Sequence, residues 1–491
     1  MKRVVLTRKT VTMIASILLA VGLIVPVMAG STTKNLSSNF TLVNLGNANA
    51  SGQIEYLKPD GTPWKTPADQ FNNLPPGGQL IYRQYEASSG LSAGRGSVIV
   101  SADQPLGAVV QLQARDGQVP SSGAYSGVAA PSDKVYVPLV MRRLSTASGL
   151  GNSQIIIQNT TPSQSCNVSV DLIKSDGTTT YTKTFTGIAG GASEEYDLDD
   201  ETNLPENWFG SAVVRATASG CTVGVVSNLF SGPHALQTFN GFATPAQKWF
   251  APLVTSRLSN GLSTPVAVQN LSGGTIPVNG VTLNCKKDAA SPGSDFSVKN
   301  STAIGNTASY FFNPVVDTTN FPTGWFGSCS LDTTGYDTVA FVQMRVIGQD
   351  NAASYEAIPG NSTAKKSIIP LAAKQLANGF ATAVTIQNLS TTAAANVELK
   401  YIPSPDCPSG AGQPCAGGTI TISGQTIPAG GSLIQNHRTN DGVPQLPAGW
   451  FGSLVVTSSD QPIDSFVQLT IIGATTGDTF QAHNGFTSTT P

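Results

Sequence analysis

The chain has 491 residues, with 27 basic and 29 acidic side chains, and charged residues make up only 11% of it. So few cations exclude a phosphate-binding surface, which needs clustered Lys and Arg, and no nucleic-acid partner is expected. At 40% hydrophobic the chain can build cores, which excludes wholesale disorder.

Lys2, Arg3, Arg8 and Lys9 precede an apolar run from about Val11 to Val27, and Val27-Met28-Ala29 before Gly30 suits a signal peptidase. Residues 1–29 therefore read as an export signal; the other use of such a run is an uncleaved membrane anchor. Without the signal's four basic residues the balance is 23 basic to 29 acidic, a net charge of −6. No later segment is apolar enough to span a membrane. The C-terminal GFTSTTP carries no hydrophobic or basic tail and no LPxTG-type sorting signal. The expectation is a secreted, cell-surface-associated chain with no recognisable covalent anchor and no transmembrane domain after cleavage.

The rest of the chain is one unit written four times. The strand-like runs FTLVN, IIIQN, VAVQN and VTIQN end at Asn44, Asn159, Asn270 and Asn388, spaced 115, 111 and 118 residues apart. These asparagines suit side-chain turns that end a strand. Second strands centre on Ile54, Val170, Leu283 and Leu399. Then comes a shared glycine, in LSAGRGSVIV at Gly96 and in Trp-Phe-Gly-Ser at Gly210, Gly327 and Gly452, spaced 114, 117 and 125 residues apart. Each copy adds a late strand: GAVVQLQ, VGVVSNLF, VAFVQMRV and DSFVQLTI. Copies two, three and four open on Tyr136-Val-Pro138-Leu139, Phe250-Ala-Pro252-Leu253 and Ile368-Ile-Pro370-Leu371. The runs are short, alternate with period two and are parted by Gly, Pro, Asn and Asp. The predicted architecture is all-β: four tandem antiparallel β-sandwich, Ig-like domains at 30–130, 131–244, 245–361 and 362–491. Short joins predict touching domains, and four in a row would make a rod on the order of 140 Å long.

The phased Pro-Leu strand, the Ile-Gln-Asn ending and Leu-Pro-x-x-Trp-Phe-Gly-Ser resemble a repeat of secreted bacterial surface proteins, mostly uncharacterised. The resemblance implies extracellular β domains and supplies no catalytic residues or cofactor.

The repeat orders the six cysteines. Copy two holds Cys166 and Cys221, copy three Cys285 and Cys329, copy four Cys407 and Cys415, so an exported chain should pair them within copies. Cys285 and Cys329 align with apolar inward positions of the other copies and should form a buried cross-link. No cysteine has a nearby His or a CxxC partner, which argues against metal.

Chemistry is sparse. His234, His437 and His483 form no repeated set and read as surface or turn residues. Gly90-Leu-Ser92-Ala-Gly94 matches a nucleophile pattern but precedes a β-strand, where that motif needs a strand-to-helix elbow. Asp197, Asp199 and Glu201 alternate in an acidic loop and are a weak calcium candidate, with a solvated loop the plainer reading. Trp64, in the polar loop PDGTPWKTPADQ, is the best isolated ligand contact; its alternative is a loop Trp folded back over the core. Along a continuous strand Trp208, Trp325 and Trp450 share the inward phase and should plug each sandwich, while Phe209, Phe326 and Phe451 face out. Those phenylalanines are expected to pack toward the preceding copy, with Arg95 marking the polar cap of the array. No enzyme and no cofactor are expected. The expectation is a structural or adhesive rod, with self-association or a surface polysaccharide or protein as partner; the alternative is a carbohydrate-binding repeat array.

Overall fold

A computed structural model describes residues 36–114, 121–146 and 148–488, together with the backbone of 23–27. The remainder of the expected export signal lies outside the described residues. The chain is all-β, with antiparallel sheets and, among the described residues, no helix beyond the short 3-10 turns Ala87–Ser89 and Leu198–Asp200. Among the described residues eight sheets fall two to each sequence copy. In copy two, one sheet runs Thr179–Ile188, Cys166–Ile173, Trp208–Ala216, Lys134–Arg142. The other places Gly149–Asn159 between Ser193–Asp197 and Val223–Ser231, with the closing strand Ala235–Asn240 beyond. The other copies keep this order.

The first sheet has one wet face, and its sequence shows it. Along Ala395–Pro403, Ala395, Val397, Leu399 and Tyr401 are buried while Asn396, Glu398 and Lys400 are exposed. The second sheet does not alternate in burial. The late strands Val223–Ser231, Thr338–Val346 and Ile463–Ile471 are buried along most of their length on both faces. One face meets the copy's own core and the other meets neighbouring copies.

That double burial closes the chain on itself. The closing strands Ser122–Ser126, Ala235–Asn240, Ala352–Glu356 and Gln481–Asn484 each lie beside the next, and the fourth lies beside the first. Phe239 of copy two stacks on Phe341 of copy three at 4.4 Å, and Tyr355 of copy three stacks on Phe466 of copy four at 4.2 Å. Gln111 of copy one donates to Gln481 of copy four at 2.9 Å. The rod expected from the short joins is thus corrected to a closed ring of four copies. The reason is apolar area: a row would leave the outer faces of the second sheets in water. One core cluster runs from copy two through copy three into Phe466, Phe480 and Ala482 of copy four. Another joins copy one to Ile156, Val226 and Leu236 of copy two, and a third joins Val43 to Ile368 and Val455.

Candidate functional site

The recurring motif sits at the seams of this ring. Trp208, Trp325 and Trp450 point inward and are 5%, 0% and 0% exposed, each within the core of its own copy. Their inward phase survives because the strand irregularity lies opposite them. Pro138-Leu139, Pro252-Leu253 and Pro370-Leu371 bulge where the opening strand passes Ser211, Ser328 and Ser453. Proline has no N–H to give a ladder, so a bulge is where it fits.

The outward serine holds copy to copy. Ser97 donates to the carbonyl of Gly191 at 2.8 Å, Ser211 to that of Thr307 at 2.6 Å, and Ser328 to that of Gly430 at 2.8 Å. Ser453 donates to the carbonyl of Gly77. Each bond runs from one copy to the next, and the fourth returns to the first. All four acceptors are left-handed, at φ +76°, +61°, +66° and +69°. Gly191 also lies close against copy one: a Cβ there would stand 2.5 Å from Leu57 Cδ1, which would have to turn aside.

Phe209 shares its strand face with Ser211, two residues on, so it too faces the following copy, not the preceding one. It meets Phe311 of copy three edge to face at 6.4 Å and stays 44% exposed. At the equivalent pair of positions copy one offers Arg95 to Glu195 of copy two, an ion pair of 3.0 Å. By register within each copy the equivalent positions are Phe326 with Ile434 and Phe451 with Ile81, and the last two line one cleft. Arg95 therefore caps nothing, since a ring has no end; it is the charged version of the same seam contact.

Trp64 answers to its alternative reading. Copy one has Gly94-Arg95 where the others have Trp-Phe, and the Trp64 ring lies over that gap. A Cβ on Gly94 or Gly96 would stand 3.2 and 3.1 Å from it. Half-buried, it packs on the core of copy one and donates Nε1–H to Ser92 at 3.0 Å. A different loop supplies the missing plug, and Ser92 of the nominal nucleophile pattern is its hydrogen-bond acceptor.

The acidic loop does not converge. Asp199 pairs with Arg143 at 2.7 Å, Asp197 accepts from the Asp199 amide, and Glu201 accepts from Tyr196 and Asn203. Among the described residues no group of three His, Cys, Asp or Glu side chains could hold a metal ion. His437 and His483 are buried, which corrects their reading as surface residues. His437 sits between Thr382 and Tyr401 at 2.9 and 3.0 Å, and burial, with Lys374 beside it, pushes it down to about 3. Burial pushes His483 down to about 4 and Asp464 up to about 7. Asn44, Asn159, Asn270 and Asn388 accept from the backbone two residues on and donate to nearby carbonyls.

All three disulfides lie within copies: Cys166–Cys221, Cys285–Cys329 and Cys407–Cys415. Cys285 and Cys329 are direct register partners on neighbouring strands, as Leu172 and Ala212 are in copy two. Sequence reasoning missed the seam serine, although Ser97 keeps it in the copy that lost Trp-Phe. It also missed Asp478. That buried carboxylate of copy four accepts from the Leu236 and Ala352 amides at 2.8 and 3.2 Å, while Ser122 donates to its carbonyl at 3.0 Å. One residue thus ties copy four to the other three; nothing in its sequence setting marks it.

One seam is open. Between copies four and one lies a cleft of about 830 Å³, lined by Tyr85, Ile81, Phe380, Phe451, Asn39 and Gln113 among others. Its wall carries both aromatic and amide side chains.

No protein-family model matches the chain, and no curated protein matches it. Among solved structures, the crystal structure of Thermotoga maritima 1070 is 15% identical, covering 23% of this chain and 93% of that one, at a TM-score of 0.19. A glycoside hydrolase family 32 structure from Bifidobacterium adolescentis is 9% identical over 90% of this chain and 98% of its own, at 0.14. The native conformation of E. coli alpha-2-macroglobulin is 9% identical over 92% of this chain and 28% of its own, at 0.11. Likenesses this weak carry no functional argument.

Proposed function

We propose that the chain is an exported, non-enzymatic surface or extracellular-matrix protein, a structural or adhesive unit built as a closed ring. The observation that supports it is where the recurring side chains go. The positions shared by the four copies are spent on plugs, strand-ending turns and seam bonds. The three disulfides and the absence of any helix long and apolar enough to cross a membrane, among the described residues, are compatible with an extracellular setting. The test is retention of the purified chain on cell-envelope and matrix fractions. The expected result is saturable binding or ordered self-association with no soluble products released. Product release, or neither binding nor assembly, overturns the reading.

A second reading, carbohydrate binding, rests on the open seam. Sugars are held by aromatic faces and amide hydrogen bonds, and Tyr85, Phe451, Asn39 and Gln113 present both. A polysaccharide panel tests it: binding lost in Tyr85→Ala supports this reading, and binding lost only in Trp64→Ala refutes the cleft as its seat.

A further inference from the structure

Copy one, counted from Gly30, lacks the opening strand of the other three. The structure fills that place with Leu23–Val27, paired antiparallel to Gly96–Val100. From Ile24 to Pro26 the register is that of the other copies; past the proline it runs straight, with Val27 at Gly96, where the other three bulge and set Val140, Val254 and Ala372 at the shared glycine. Val25 faces Val98 as Val137 faces Ala212, Ala251 faces Cys329 and Ile369 faces Leu454. Ile24 faces Ile99 as Tyr136 faces Val213, Phe250 faces Ser330 and Ile368 faces Val455.

The sequence agrees independently. Ile24-Val25-Pro26-Val27 has the same hydrophobic-x-Pro-hydrophobic pattern. Pro26 lies 18 residues before Asn44, as Pro252 lies 18 before Asn270 and Pro370 lies 18 before Asn388. In each copy the proline falls at the shared serine: Pro26 faces Ser97, and the bulged prolines pass Ser211, Ser328 and Ser453.

We propose that Leu23–Val27 is the opening strand of copy one in the exported protein, so that its N-terminus lies at or before Leu23 and not at Gly30. Cleavage after Ala29 would remove the strand just beyond its end and leave Gly96–Val100 as an open edge, able to template other strands. The seated strand also excludes the anchored use of the same run. From Val11 to Gly22 there remain 12 residues, about 18 Å of helix, against the ~20 residues a membrane span needs. The segment serves the membrane or the sheet, one at a time.

The test exports the full chain from its own signal and reads the N-terminus by sequencing and intact mass. In parallel, the double variant Val25→Cys, Val98→Cys asks whether the strand is seated. The expected result is an N-terminus at or before Leu23, and a cross-link between the two introduced cysteines visible as a mass shift after non-reducing digestion. An N-terminus at Gly30 overturns the proposal. So does a retained segment whose two introduced cysteines stay reduced while the three native disulfides form.

Discussion

Replacing Trp64 by alanine separates a core plug from a ligand contact. A Trp side chain buries ~150–250 Å² when fully enclosed. At ~25 cal/mol per Å² that is about 4–6 kcal/mol, and a half-buried ring contributes about half of it. The bond to Ser92 adds less than about 1 kcal/mol, because the pair is exposed to water. Trp64→Ala should therefore destabilise by about 2–3 kcal/mol. Trp325→Ala, at a site 0% exposed, should cost about 3–5 kcal/mol. The assay is urea unfolding followed by far-ultraviolet circular dichroism, with Ser92→Ala as the variant that removes the bond and keeps the ring. A Trp64→Ala chain that unfolds at the parent midpoint, while losing affinity for a polysaccharide, would refute the plug.

The seams and the buried ionisable groups give three further outcomes. Arg95→Glu and Glu195→Arg should each weaken the first seam by less than about 1 kcal/mol, since Arg95 is 53% exposed, and the double exchange should restore it; a double-mutant cycle measures this. Asp478→Ala leaves two buried amides of other copies without their acceptor and should cost about 3–5 kcal/mol, read as a lower thermal midpoint. The pH profile should be bell-shaped. His437 and His483 hold folded values of about 3 and 4, below their unfolded value, so stability is full above about pH 6.5 and falls as pH drops toward 4. Asp464 is raised to about 7, so its contribution is present below its unfolded value and is lost as pH rises from about 4 through 7. Asp464→Asn should flatten the high-pH limb and leave the low-pH limb in place.

The repeat, the class of fold, the disulfide partners and the inward tryptophans are all local or periodic facts, and a sequence carries those. Trp208 can be phased from its own strand because the bulge that would have reversed it belongs to the opposite strand. The direction of Phe209 cannot, because it depends on which copy the outer face meets. The ring is hidden for a related reason. IIIQN and VAVQN look like half-buried strands, and only the assembled neighbours reveal that both faces are covered. Trp64 escapes a strand-by-strand reading because a plug need not come from the strand it plugs. The opening strand of copy one is legible in the spacing of Pro26 to Asn44, but its residues also make a good export signal, and that stronger pattern masks it.

The seams divide into a constant part and a variable part, and the division says where to look for function. The serine and its left-handed acceptor occur four times and give closure without preference among neighbours. The outward pair varies: Arg95 pairs with Glu195 and Phe209 meets Phe311, while the equivalent positions of the other two seams hold Phe and Ile, Phe326 with Ile434 and Phe451 with Ile81. A charge set against a ring would lose its partner in a misordered closure, so this pair can fix the order that the serines leave open. Both sets are then accounted for by assembly. Any ligand contact should accordingly be sought where the copies differ and the surface stays open, and the cleft between copies four and one, with Tyr85 at its wall, meets both conditions.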